Sequence, residues 1–228
     1  MLSSAPRREP EVLEDVLRRA VAETPAPGPT ASRADKKNYT ERLSHLVTAG
    51  IAAKLREAGL TGVRAPTGRD KRFMGGYGTK GVDAYLADDR HGLLLSSGTK
   101  GILFDVPKNL KNRYRDIVIE ALELHKRFPY AVCGHLLFLC EEEVARPSRR
   151  FGTVLGEAVA LLETIACRRL PDDAPELYEV VGIALIQPGN PERVSCAPAG
   201  VPQPLHAKHY VSALVEAFWR RNPFYVPP

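Results

Sequence analysis

The run YAVCGHLLFLC, from Tyr130 to Cys140, constrains the fold more than any other part of the chain. It carries no formal charge and lacks the polar alternation of a strand with one wet face, so it reads as a central β-strand covered on both sides. The segment ELYEVVGIALIQ, Glu176 to Gln187, reads the same way. Such strands need helices above and below. From Tyr39 to Ala58, Leu43, Leu46, Val47, Ile51, Ala52 and Leu55 recur at helical spacing, and Gly59 marks a stop. Asn112 to Lys126 places Tyr114, Ile117, Val118, Ala121, Leu124 and His125 on one side, with Pro129 just beyond. Phe151 to Arg168 and Ala207 to Arg221 are predicted as further helices. VDAYLAD and GLLLSSG flank the turn DDRHG and predict a hairpin with arms Val82 to Ala87 and Leu93 to Ser97. The expected class is α/β, a central mixed β-sheet flanked by α-helices.

At 228 residues the chain suits one sizeable core, expected over residues 36–228. Residues 1–35 mix charge with Pro, Ala, Ser and Gly and read as a mobile N-terminal arm. Within it, Val12, Leu13, Val16, Leu17, Ala20 and Val21 predict a short amphipathic helix able to dock on the core or on a partner protein. Cys133, Cys140, Cys167 and Cys196 form no CxxC pair and sit mostly in apolar runs, which fits reduced thiols and a cytoplasmic protein. No apolar stretch is long enough for a membrane span, and the first 30 residues hold acids and prolines where a signal peptide needs an apolar run. The net charge of +5 favours phosphate-bearing partners without specifying one.

Several blocks in order narrow the reading. GVDAYL, SGTKGILF, KNLKNR, the helical EALELH and RFPYAV, spread over Tyr39 to Cys140, together resemble the PD-(D/E)xK, restriction-endonuclease-like nucleases, and YEVVGIALI and RRNPF are similar too. The resemblance implies a restriction-endonuclease-like core and a metal-dependent endonuclease acting on DNA, in prokaryotic defence or restriction. It implies Asp83 as a ligand to Mg²⁺ (or Mn²⁺) and Lys100 as the cation beside the reacting phosphate. Hydrolysing a phosphodiester needs an activated water and neutralisation of charge growing on phosphate, tasks suited to carboxylate-held divalent ions and an ammonium group.

One position departs from that pattern. Two residues before Lys100, where an acid is expected, the chain has Gly98. Some nucleases of this kind supply the acid from the neighbouring helix, and Glu120 is the candidate. It lies at the edge of the apolar stripe, three residues after Ile117 and four before Leu124, with Arg113, Asp116 and Arg127 on the same flank. A boundary acid paired with Arg113 or Arg127 fits the same spacing. Glu41, on the first long helix, is a further candidate metal ligand by the resemblance, and equally suits an exposed acid near a helix N-terminus. Asp70 and Asp105 are weaker reserves.

Lys108, Lys111, Arg113 and Arg115 form a basic cluster at a helix entrance. Arg69, Lys71, Arg72 and Lys80 surround the glycine-rich TGRDKRFMGGYGTKG, whose Gly75, Gly76, Gly78 and Gly81 permit close approach to a ligand, with Tyr77 available to stack on a base. Cys133, His135 and Cys140 superficially suggest zinc, but strand alternation puts Cys140 on the other face, and a buried strand accounts for them. GGYGTKG lacks phosphate-loop spacing. Two readings therefore stand: a nuclease, with a homodimer as the expected way to cut both strands, or a catalytically inactive DNA-binding or assembly subunit that keeps the fold, as Gly98 would suit.

Overall fold

The computed structural model describes residues 13–68 and 71–226. Residues 1–12, including Val12, together with Arg69 and Asp70, lie outside the described residues. In chain order the elements are helices α1 (Leu13–Glu23) and α2 (Arg33–Glu57), then strands β1 (Lys71–Met74), β2 (Thr79–Val82), β3 (Ala84–Asp88) and β4 (Gly92–Ile102). Helix α3 (Val106–Arg127), strand β5 (Val132–Cys140), helix α4 (Glu141–Val144), the short strands β6 (Pro147–Ser148) and β7 (Gly152–Thr153) and helix α5 (Val154–Glu163) follow. Strands β8 (Val180–Gln187) and β9 (Asn190–Ser195) and helix α6 (Tyr210–Arg221) complete the order.

The centre is a five-stranded mixed sheet in the order β3-β4-β5-β8-β9. β3 and β4 form the expected antiparallel hairpin, β4, β5 and β8 run parallel, and β9 closes the far edge antiparallel to β8. All nine residues of β5 are buried, as a strand covered on both faces requires. Alternation decides which helix each β4 and β5 residue meets. A side chain at Gly101 would strike Phe138 and Thr40 of α2, and one at Gly134 would strike Leu214 and Tyr210 of α6. Gly98 points the other way, onto Glu120 of α3.

Leu43, Val47, Ile51 and Leu55 of α2 are fully buried, each contributing about 1.5–3 kcal/mol over an exposed side chain. This helix starts six residues earlier than the periodicity predicted. The Asp35 N–H donates to Ser32 Oγ and the Ser32 N–H to the Asp35 carboxylate, a capping box that extends the helix through a polar stretch. Helix α3 likewise begins earlier, with Pro107 in its first turn. Helix α5 is shorter than the predicted Phe151 to Arg168. Tyr178 N donates to Ile165 O and Arg168 N to Tyr178 O, drawing residues 165–168 out of the helix, with Cys167 at φ 72°.

The helix predicted near the N-terminus is α1, whose Leu13, Val16, Leu17, Ala20 and Val21 are buried in the same core. No disulfide forms among the described cysteines, and Cys133, Cys140 and Cys196 are buried while Cys167 is exposed. Among the described residues no helix is long and apolar enough to cross a membrane.

Candidate active site

Asp83 occupies the bend between β2 and β3, one step beyond the Ala84/Ser97 pair, which puts it opposite Gly98. Its Oδ2 accepts a 2.7 Å hydrogen bond from the Thr99 N–H, so the carboxylate is pinned to the strand that carries Lys100. Lys100 lies two residues past Gly98 and therefore on the same face of β4.

Glu120 of α3 reaches the space over Gly98. A Cβ built on Gly98 would fall 2.5 Å from Glu120 Oε1 and 2.6 Å from His135 Nδ1. The Glu120 carboxylate thus reaches from α3 into the space a side chain at 98 would occupy, with the His135 imidazole beside it. Glu120 is not the surface acid paired with arginine that its spacing also allowed: Arg113 pairs instead with Asp116 at 2.8 Å, and Glu120 faces His135 at 3.8 Å.

The two acids titrate in opposite directions. Burial pushes Asp83 above the ordinary carboxylate range and the charge of Glu120 adds to this, against the Thr99 N–H, Lys100 and His135. Burial acts on Glu120 as well, but His135, Lys80 and Lys100 more than offset it and hold Glu120 below its ordinary value. Asp83 and Glu120 offer carboxylate oxygens, the donor type a hard divalent ion takes.

Asp83 and Lys100 open onto a cleft of about 1120 Å³. Its rim is basic: Arg33, Lys36 and Lys37 from the first turns of α2, Arg72 from β1, and Arg113 from α3 all line it, with His45. The α2 cations were not singled out from the sequence, although their spacing places them on one helix face with Thr40 and Ser44. Glu41 also lines this cleft, but it is exposed and 3.5 Å from Lys37. Asp105 lies on the same wall, at the α3 N-terminus, with a left-handed φ of 52° and no side-chain cap. That cap comes instead from Glu143, which accepts from the Val106 N–H at 2.7 Å.

The other predicted contacts divide. Lys71 and Arg72 are exposed on β1, and Lys108 is exposed on α3. Lys111 points to Glu157 of α5 at 3.4 Å rather than toward the cleft. Lys80 is close enough to Glu120 for its charge to act on that carboxylate. Tyr77 is 73% exposed at the tip of the β1–β2 hairpin. Gly75 and Gly76 of that hairpin approach helix α3 closely, while Gly81 lines the cleft. Gly76 N donates to Glu123 O, Tyr77 N and Gly78 N donate to Glu123 Oε2, and a Cβ at Gly75 or Gly76 would strike Glu123 or Lys126. Glu123 carried no signal in the sequence beyond its spacing on α3.

Elsewhere, His125 Nε2, Cys133 Sγ and a Glu179 oxygen lie within 4.8 Å of one another, the three-donor cluster found among the described residues. It is a poor cation site. Glu179 already binds Arg168 at 2.9 Å and Arg221 at 3.1 Å and accepts from the Cys133 N–H, and two buried guanidiniums oppose a further positive charge. It ties α6 and the segment after α5 to the strands. Comparison with models of known protein families, with curated proteins and with solved structures finds no match for this chain.

Proposed function

We propose that this protein is a divalent-metal-dependent nuclease that hydrolyses phosphodiester bonds of DNA, with a restriction-endonuclease-like core. The observation that carries the reading is the Glu120 carboxylate, which reaches from α3 into the hollow over Gly98, on the face that carries Lys100 and near enough to Asp83 for the two charges to act on each other. Asp83 and Glu120 would hold a Mg²⁺ or Mn²⁺ ion. Such an ion, when bound, supplies a Lewis acid and a water of lowered pKa.

The remaining work falls to the chain's own groups. The Lys100 ammonium, a compact point charge on the cleft wall, neutralises charge growing on the phosphate. Arg33, Lys36, Lys37, Arg72 and Arg113 attract the phosphate backbone along the rim, where contacts orient the substrate without reading its sequence. The Thr99 N–H fixes the Asp83 rotamer, so the site does not have to order itself at the moment of reaction.

The test is incubation of supercoiled plasmid with the purified protein and Mg²⁺ or Mn²⁺. Nicked or linear product is expected from the parent, and Asp83→Ala, Glu120→Ala or Lys100→Ala should lower the rate by about 10²-fold or more. A parent that binds DNA with a steep salt dependence but never cuts it would replace this reading with that of an inactive DNA-binding subunit.

A further inference from the structure

His135 is 2% exposed, and among the described residues neither of its ring nitrogens has a hydrogen-bond partner. Two unsatisfied nitrogens on one buried ring are costly, and such a group calls for an explanation. Nδ1 faces Glu120 Oε1 at 3.8 Å, beyond hydrogen-bond distance. Two donors on one ion, with bonds of about 2.1 Å, sit roughly 3.0–3.5 Å apart, so a shift of a few tenths of an ångström would let this pair share a cation. The ring is held for this by Tyr178, packed edge-on at 5.6 Å, whose hydroxyl donates to Ile117 O.

Gly98 gives the second, independent observation. The position of its absent Cβ is 2.5 Å from the Glu120 oxygen and 2.6 Å from the His135 nitrogen, so any side chain there would stand between the two donors. Glycine keeps that gap open. The residue that looked like a lost ligand is then the condition for two replacement ligands, one from α3 and one from β5.

Resting on the nuclease reading, we infer that His135 Nδ1 is a metal ligand alongside Glu120, making this a mixed nitrogen and oxygen site that selects a first-row transition ion over Mg²⁺. Imidazole nitrogen suits Mn²⁺, Co²⁺ or Zn²⁺ far better than Mg²⁺, which demands oxygen donors and sheds its water reluctantly.

The test uses Mn²⁺ as the probe and electron paramagnetic resonance as the readout. Mn²⁺ added to the full chain should bind at least tenfold more tightly than Mg²⁺ in competition, and its spin-echo modulation should carry coupling to a directly bound ¹⁴N. Labelling the histidines with ¹⁵N should change that coupling without altering a side chain. His135→Ala should abolish it, and Gly98→Ala, which removes no donor, should weaken Mn²⁺ binding at least tenfold. Bound Mn²⁺ with no nitrogen coupling, coupling that survives in folded His135→Ala, or equal affinity for Mg²⁺ overturns the inference. Plasmid cleavage on the same samples separates the two claims. Cleavage supported equally by Mg²⁺ with no nitrogen coupling removes His135 and leaves the nuclease, whereas nitrogen-ligated Mn²⁺ without cleavage removes the nuclease and leaves the metal site.

Discussion

Replacing Gly98 by alanine adds one methyl group at the most crowded point of the candidate site. The new carbon would lie 2.5 Å from Glu120 Oε1 and 2.6 Å from His135 Nδ1, against an ordinary contact of about 3.5–4.0 Å, so something must move by roughly 1 Å. The Glu120 side chain is 16% exposed and can swing outward about its own rotatable bonds. The imidazole cannot, because it is buried and braced by Tyr178. Overpacking of this kind costs about 1–3 kcal/mol. Gly98 is not among the described glycines with positive φ, so loss of unfolded-chain entropy returns about 0.4–1 kcal/mol. The net expectation is a destabilisation of about 1–2 kcal/mol, read as a lowered urea midpoint at unchanged slope. In a His135→Ala background the same methyl has room, and its cost should fall by at least about 1 kcal/mol, a coupling that a double-mutant cycle measures. Gly98→Ala as stable as the parent, or no coupling to position 135, would refute the geometry from which both the acid substitution and the metal site are argued.

Three further outcomes are expected. Glu179→Gln breaks a buried pair with Arg168 and Arg221 and should cost about 3–5 kcal/mol at neutral pH in chemical denaturation. Burial pulls Glu179 up, but His125, the Cys133 N–H and Arg168 more than offset it and hold it below its ordinary range. Its stabilisation is therefore present above the unfolded value of about 4.3 and disappears as pH falls through the lower folded value, so parent and variant should converge only in strong acid. Ser32→Ala removes one half of the α2 capping box and should cost about 1 kcal/mol, a loss that Ser32→Asp should largely spare. Charge removal at Arg33, Lys36 and Lys37 together should reduce the salt slope of duplex binding by about 2–3, with no preference among sequences; an unchanged slope would show that DNA does not pass α2.

The apolar runs Tyr130 to Cys140 and Val180 to Gln187 determined by themselves that this chain builds an α/β core, because an uncharged strand with no wet face must be covered on both sides. The turn DDRHG fixed the β3–β4 hairpin for a similarly local reason, since turn chemistry acts over a few residues. Helix starts at Arg33 and Val106 were less legible: a capping box and a proline in the first turn extend helices where the apolar spacing is silent. Asp83, Lys100 and Glu120 were candidates only by the family resemblance, and what sets Asp83, Lys100 and the Glu120 carboxylate on one face of the sheet is the register of β3 and β4 and the packing of α3 over Gly98. His135 drew notice in the sequence only beside Cys133 and Cys140, as a superficial zinc pattern that a buried strand accounts for. Only tertiary packing decided that its ring lies against Gly98 and Glu120 with both nitrogens without hydrogen-bond partners among the described residues, because those neighbours come from different strands and a helix far apart in the chain.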